Sequence, residues 1–363
     1  GVGGLGRRFD RANVMLGRNR LIAHLTVSMI AAGVVHEAAA DQAARVYVGK
    51  NSHWILTDGP LSGRVAWAFD NPDEESDPKG LLLLHLRRAA GIEWASYKPT
   101  HPEIVDALKN HPNVSGFYDQ NYCVGKCAAA FEGDGRVKPV ALGVYKSKSK
   151  RKWFVMHHKF AVLRARDGDG VITGSFNWNK SAAELNFENL IFIKSKKLAD
   201  AYSQVFNKLP AEESLTAVDA DVSAGFGAAG MELINQQIDA AQKSIRVAVW
   251  SMNVASKKNP NPVYDALVAA MERGVDVQVL TDYHKAKKRK YRKLKVHSIR
   301  MASKKAHMHH KFLVIDEATV VSGSFNFVTK SFSGNHENVV VVRSPAMAAS
   351  FTKHWHKVRA YRP

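Results

Sequence analysis

The pentapeptide MHHKF occurs at Met156–Phe160 and again, letter for letter, at Met308–Phe312. Around it the correspondence widens. GSFN stands at Gly174–Asn177 and at Gly323–Asn326, and Glu188-Asn189 recurs as Glu337-Asn338, each followed by an apolar run. Upstream, GIEWASY (Gly91–Tyr97) answers to SIRVAVW (Ser244–Trp250), and PEIVDAL (Pro102–Leu108) to PVYDAL (Pro262–Leu267). The order is the same in both halves and the spacing drifts only by loop lengths. The chain is therefore an internal duplication and must fold as two copies of one unit. Its 363 residues suit two such units, each with a core of its own, or one pseudo-symmetric body.

Each half reads alike. A helix over LLLLHLRRA or MELINQQIDAAQ leads into the apolar strand IEWASY or IRVAVW. A second helix, around VDALK or DALVAAMERG, leads into a strand that ends at Asp119 or Asp282. Strands alternating with helices indicate an α/β layer with a largely parallel sheet. The MHHKF segments run on into FAVL and FLVID, a turn, and then VITGSFN or VVSGSFN, which predicts a hairpin. A helix should follow each GSFN, over KSAAELN in the first half. The expected architecture is two tandem α/β/α repeats, residues 63–208 and 229–363, packed with pseudo-two-fold symmetry and joined by an Ala-, Ser- and Gly-rich linker, 209–228.

Residues 1–62 have no counterpart in the second half and form an N-terminal extension. Arg7, Arg8, Arg11, Arg18 and Arg20 precede the apolar stretch Leu21–Val35, and Ala38 and Ala40 follow in an A-x-A arrangement. This pattern resembles a secretory signal, and the stretch is short for a membrane span. The alternative is an extra amphipathic or buried helix, since His24 interrupts the run. Export to a periplasm or beyond follows from the first reading, a cytoplasmic place from the second. Cys123 and Cys127 are the only cysteines; two alone cannot complete a zinc site, and a local disulfide and a pair of inert thiols both fit their spacing.

On a strand, residues two apart share a face. His157 and Lys159 thus project together with His158 opposed, as do His309 and Lys311 with His310 opposed. The working pair in each copy is H-x-K, with the second histidine and the phenylalanine left for packing. An imidazole beside a fixed cation suits phosphoryl chemistry: the ring attacks or protonates, and the ammonium neutralises phosphate oxygens. GSFN adds a small-residue turn through which backbone approaches a ligand, the hydroxyls of Ser175 and Ser324, and the amides of Asn177 and Asn326. Glu188 and Glu337 are candidates to accept an imidazole proton and fix the ring's orientation.

The pattern H-x-K-x4-D followed by GSxN resembles the phospholipase D superfamily. HHKFLVID…GSFNF…ENVVVV, His309 to Val342, fits it in full, with Asp316 in the aspartate place. The GSFNW and GSFNF forms with trailing EN look most like its nuclease branch, and the resemblance covers roughly residues 63 to 363. It implies one active site built from both copies, so that a monomer suffices, and a phosphodiesterase that needs neither metal nor cofactor and works through a phosphohistidine intermediate. By that resemblance His157 is the nucleophile and His309 the acid, Lys159, Lys311, Asn177 and Asn326 hold the phosphoryl group, and Ser175, Ser324 and Asp316 support them. One imidazole cannot be unprotonated for attack and protonated for leaving-group donation at once, which explains the need for two copies. One departure stands out: Arg164 occupies the place of Asp316 in the first half, and the turn there, RARDGDG, is three residues longer. If the aspartate braces the hairpin, the change is tolerable; if it tunes the catalytic pair, the first half is altered. The first half keeps His157, Lys159, Ser175, Asn177 and Glu188, so an active enzyme is expected.

Charge points to the partner. Lys and Arg number 52 against 33 acids, a formal charge of +19, which suits a polyanion, either nucleic acid or an anionic membrane surface. The charge is clustered just before each H-x-K. One run holds Lys146, Lys148, Lys150, Arg151 and Lys152; the other holds Lys287, Lys288, Arg289, Lys290, Arg292 and Lys293. Two runs in the same slot are expected to flank one cleft and attract phosphates regardless of sequence. Tyr283, Tyr291 and Trp153 are candidate stacking faces for bases. The expected activity is sequence-nonspecific endonuclease cleavage of DNA or RNA. A phospholipase is the first alternative, disfavoured because no long apolar loop flanks either H-x-K. A nucleic-acid-binding protein of weakened catalysis is the second.

Overall fold

The computed structural model describes residues 36–39, 42–48, 51–70, 76–123, 125–147, 150–211, 213–257, 260–286, 291 and 293–363. Two large sheets hold most of them. The first runs His36–Ala39, Ala43–Val48, Asn51–Leu56, Val65–Asp70, Glu188–Lys194, Gly170–Gly174, Lys159–Arg164, Gly91–Ser96, Val114–Asp119, Val137–Val140. The second runs Thr216–Asp219, Val222–Phe226, Asn338–Arg343, Thr319–Gly323, Lys311–Ile315, Ser244–Val249, Asp276–Asp282, Lys295–Ile299. From Val65–Asp70 in one and Val222–Phe226 in the other, the strand orders coincide, so the duplication read in the letters is a duplication of topology.

Two expectations need correction. The sheets are mixed rather than largely parallel. Only the two strands beyond Gly91–Ser96, and the two beyond Ser244–Val249, pair in parallel, because only there does a helical crossover join neighbours. The hairpin after each H-x-K and the strand returning beside it make the other ladders antiparallel. Second, the stretch 209–228 carries two strands, and Val222–Phe226 is the partner of Asn338–Arg343. Its small residues serve close packing: a Cβ on Gly225 would lie 2.8 Å from the Cα of Gly230. The described part of the N-terminal extension is strand and widens the first sheet through antiparallel pairing of Asn51–Leu56 with Val65–Asp70. The basic and apolar stretch read as a signal or helix, residues 7–35, lies outside the described residues.

Alternation along the strands sorts the cores. Phe160 and Val162 face one way, Ala161 and Leu163 the other; Phe312 and Val314 oppose Leu313 and Ile315; Val340 and Val342 oppose Val339 and Val341. One set from each sheet meets in a shared core that also takes the buried faces of helices Lys196–Lys208 and Pro345–Ala360. These two helices start on serine caps, Ser195 accepting from the N–H of Leu198 at 3.1 Å and Ser344 from Met347 at 3.3 Å. The outer faces are covered by Pro78–Arg88 and Pro102–Lys109 on the first sheet, and by Gly227–Ala240 and Pro262–Glu272 on the second. Each repeat is thus a sheet between helical layers. The Trp67 indole of the first sheet donates to Ser350 Oγ at 3.0 Å, and Trp355 Nε1 donates to the Val247 carbonyl at 2.8 Å, so the last helix is tied to both sheets. Cys123 and Cys127 are joined as a disulfide. Among the described residues, no helix is long and apolar enough to cross a membrane.

Trp355 is fully buried in the shared core, whereas Trp153 is 43% exposed. Trp355→Ala should lower unfolding free energy by about 3–5 kcal/mol, measured by urea denaturation, and Trp153→Ala should leave it within about 0.5 kcal/mol. Equal effects would contradict this placement of the core.

Candidate active site

Each H-x-K motif sits at the start of a strand and is held from the opposite repeat. The backbone N–H of His157 donates to the carbonyl of His336 at 2.9 Å, and that of His309 to Phe187 at 3.0 Å. These contacts bring the following glutamates to the imidazoles. His157 Nδ1 lies 2.8 Å from Glu337 Oε2, and His309 Nδ1 lies 2.8 Å from Glu188 Oε1. The acceptor foreseen for each ring is present, but it comes from the other half. With Nδ1 engaged by a carboxylate, Nε2 is the nitrogen left for chemistry.

The remaining conserved letters of the duplication explain how the glutamates are held. The Ser175 hydroxyl donates to Glu188 at 2.6 Å and Ser324 to Glu337 at 2.5 Å, while each accepts the backbone N–H of the following asparagine at 3.0 Å. Asn186 and Asn335 donate to the second carboxylate oxygens at 3.1 and 3.2 Å. The serines therefore brace the carboxylates. The second histidines are more than packing: His158 Nδ1 lies 3.2 Å from Asn338 Oδ1, and His310 Nδ1 lies 3.2 Å from Asn189 Oδ1, again across the repeats. Both asparagines are anchored in turn, Asn338 by donating to Thr173 and Asn189 by donating to Ser322, each at 2.7 Å. Both histidines of HHK and both residues of EN are thus spent on one crossed interface.

The glycines of GSFN do not open the backbone to a ligand, as the sequence suggested. A Cβ on Gly174 would lie 2.3 Å from the Asn189 carbonyl oxygen, and one on Gly323 would lie 2.2 Å from that of Asn338. They are glycines because the neighbouring strand's backbone fills that space. Asn177 and Asn326 behave differently: their Oδ1 atoms are buried with no hydrogen-bond partner among the described residues, a disposition that leaves the amides to a ligand.

Lys159 and Lys311 are buried, and each ammonium donates to the carbonyl of its own histidine, Lys311 at 2.8 Å. Lys311 Nζ also lies 3.2 Å from both ring nitrogens of His309. Burial, then the charge of Lys159 and Lys311, holds His157 well below the ordinary imidazole range; burial and the same two lysines do so for His309. Burial pushes Glu188 up to about 7 against the pull of Lys311, and raises Glu337 against that of Lys159. Burial lowers Lys311 to about 8. Two ammoniums and two carboxylates share one buried space and cancel, so an added phosphodiester anion is balanced when one imidazole carries a proton.

Sequence reasoning missed several contributors. Asp119 accepts from the N–H groups of Met156 at 2.9 Å and Tyr122 at 2.8 Å, and Asp282 from His284 at 3.0 Å and Met308 at 3.3 Å, so the strand-ending aspartates pin the histidine loops. Tyr97 and Trp250 flank the rings, with centroids 5.0 Å from His157 and 5.1 Å from His309. Both were visible as matched strand ends in the two copies. The place of Asp316 is now clear: its oxygens accept the backbone N–H groups of Gln242, Lys243 and Ser244 at 2.7–2.9 Å, which ties the hairpin to the start of strand Ser244–Val249. In the first half Arg164 binds Asp169 at 2.8 Å and Asp200 at 3.2 Å instead. The departure is a different brace.

The first basic run forms a two-stranded hairpin, Val144–Ser147 with Lys150–Trp153, separate from both sheets; it carries Lys146, Lys150, Arg151 and Lys152. Its root is clamped on the second repeat, where Val155 N donates to Asn335 at 3.1 Å and a Cβ on Gly334 would lie 2.6 Å from the Phe154 ring. Lys148, Lys287, Lys288, Arg289, Lys290 and Arg292 lie outside the described residues, and Lys293 is paired with Glu272 at 3.2 Å. Tyr291 is not a free stacking face, because its hydroxyl donates to the Met252 carbonyl at 2.8 Å and its ring packs on the second repeat's core. Tyr283 carries the Arg300 guanidinium 3.9 Å from its centroid, and Trp153 stands exposed at the end of the hairpin.

Two substitutions separate site from scaffold. Glu337→Gln should reduce turnover of a phosphodiester by at least about 100-fold while the fold melts cooperatively. Asp316→Asn should cost about 1–3 kcal/mol of stability and leave the rate nearly unchanged. A reversed pattern would show that the aspartate, not the crossed glutamate, serves the chemistry.

Comparison with known proteins accords with this geometry. The profile of the family described as cardiolipin synthase, phospholipase D-like domain, matches residues 135–210 and 234–359. A phospholipase D of Rickettsia conorii is 30% identical over 176 residues, 47% of this chain and 82% of its own length. A mitochondrial cardiolipin hydrolase of Chlamydomonas reinhardtii is 32% identical over 101 residues, 26% of this chain and 45% of its own. The fold of phosphatidylserine synthase from Haemophilus influenzae superposes with a TM-score of 0.57 at 13% identity, covering 81% of this chain and 86% of that one.

Proposed function

The chain belongs to the phospholipase D superfamily, a hydrolase by that kinship, and from this premise we propose that it is a metal-independent phosphodiesterase that cuts nucleic acid without sequence preference. The observation that carries the reading is the pair of imidazoles, each bound at Nδ1 by the other repeat's glutamate. In the proposed cycle, His157 Nε2 attacks phosphorus as the bond to the leaving oxygen breaks, and protonated His309 delivers its proton to that oxygen. Water then attacks the phosphohistidine, gives its proton to His309, and the phosphorus–nitrogen bond breaks. Lys159, Lys311, Asn177 and Asn326 hold the phosphoryl oxygens throughout.

Nucleic acid is favoured as substrate by the formal charge of +19 and by the lysine- and arginine-bearing hairpin that leads directly into His157. The domain boundaries proposed are a first repeat through about residue 208 and a second that begins with the strand Val222–Phe226. Lipid hydrolysis is the second reading, favoured by the names of the rickettsial and algal relatives.

Plasmid, single-stranded DNA, RNA and cardiolipin vesicles, each incubated with the protein in excess EDTA, separate these readings. Cleavage of a nucleic acid with intact lipid is expected, abolished by His157→Asn or His309→Asn. Headgroup or phosphatidate release without nucleic-acid cleavage would establish the lipid reading instead. Activity on any phosphodiester should also be bell-shaped in pH. Below about 7 Glu188 gains a proton and loses the negative charge that steadies a protonated His309, and above about 8 Lys311 loses its charge. The maximum of kcat/KM is therefore expected between these values, and a rate still rising above pH 9 would contradict the assignment.

A further inference from the structure

A cavity of about 470 Å³ opens on the outer face of the first repeat, away from the histidines. Its walls come from strand Asn51–Leu56, helix Pro78–Arg88, the turn after Arg164 and the end of strand Glu188–Lys194. Two of these walls have no equivalent in the second repeat. Strand Asn51–Leu56 comes from the unmatched N-terminal extension. The turn has six residues between the last paired positions, Leu163 and Gly170, against three between Ile315 and Thr319. The features that distinguish the first repeat from its copy therefore meet at one place.

The lining has two characters. Ile55, Leu84 and Leu163 give it an apolar floor, and the Phe192 ring stacks on His85 with centroids 3.7 Å apart. Around that floor the polar groups are mainly basic. Arg64 is held by Asp219 at 2.8 Å and Lys194 by Asp167 at 3.0 Å, but Arg88 makes no ion pair among the described residues. His53 is 5% exposed, lines the cavity, and its imidazole has no hydrogen-bond partner among the described residues. Burial and then the charge of Arg88 push His53 down to about 4, and burial takes His85 to about 3, so both rings are neutral near pH 7 and act as hydrogen-bonding groups.

We propose that this cavity is a second, noncatalytic binding site for a small amphipathic anion, whose apolar body lies on Leu84 and the Phe192 ring and whose anionic head meets Arg88 and His53. An apolar body alone would make no use of Arg88 at the rim or of His53 in the wall. A bare anion would leave the floor wet.

Titration calorimetry of the full chain with octyl phosphate, octanol and inorganic phosphate tests the proposal. Octyl phosphate should bind one to one, at least tenfold more tightly than either octanol or inorganic phosphate. Arg88→Glu should weaken it at least tenfold, and Leu84→Trp, which fills the floor without touching charge, should do the same; both residues lie outside the catalytic centre, so phosphodiesterase activity serves as the check on folding. His309→Asn should leave the binding unchanged, which distinguishes this site from the active site. The proposal is overturned by no binding of octyl phosphate at millimolar concentration, by octanol or inorganic phosphate binding as tightly, by indifference to both cavity variants, or by loss of binding in His309→Asn.

Discussion

The structure depends on a crossed pair of contacts: the glutamate of each repeat holds the histidine of the other. Backbone bonds from His157 to His336 and from His309 to Phe187 set the distance, and the carboxylates set the ring orientation. Neither repeat can present an oriented imidazole alone. The candidate site is therefore a property of the interface, and the shared core beneath it, with Trp67 and Trp355 tying the last helix to both sheets, makes that interface part of the fold. Coupling the rings to packing in this way keeps the two of them in register.

Electrostatics imposes the second constraint. Lys159, Lys311, Glu188 and Glu337 are all buried, an arrangement tolerable because opposite charges and hydrogen bonds compensate one another. Burial nonetheless drives every group toward its neutral form: carboxyls upward, imidazoles and ammoniums downward. On the proposed phosphodiesterase reading, a phosphodiester entering such a site would bring one negative charge and favour the state in which an imidazole is protonated. In that proposed cycle the substrate itself would help to prepare the acid that its leaving group requires.

Much of this was legible in the letters. The period-two alternation of FAVL, FLVID and VVVV announced the hairpin and the strand beside it, and H-x-K with GSFN and EN marked the groups that meet. Which copy faces which was not legible, because a repeat tells which residues recur and not whose partner each one is. The aspartates at 119 and 282 ended strands in both copies, yet act through backbone N–H groups that no side-chain pattern reveals. The small residues of 209–228 read as a linker because composition does not distinguish a flexible segment from a strand and helix at close approach. The outer strands Val137–Val140 and Lys295–Ile299 are short and half polar, too weak a period to stand out. Asp316 belonged to the motif but not to the site, a distinction that only its three backbone donors make.

The crossed pairing can be observed directly by 15N magnetic resonance of histidine-labelled protein. Glu337→Gln should shift the Nδ1 and Nε2 resonances of His157 and leave those of His309 in place, while Glu188→Gln should do the opposite. A response in the histidine of the same repeat as the substituted glutamate would contradict the account.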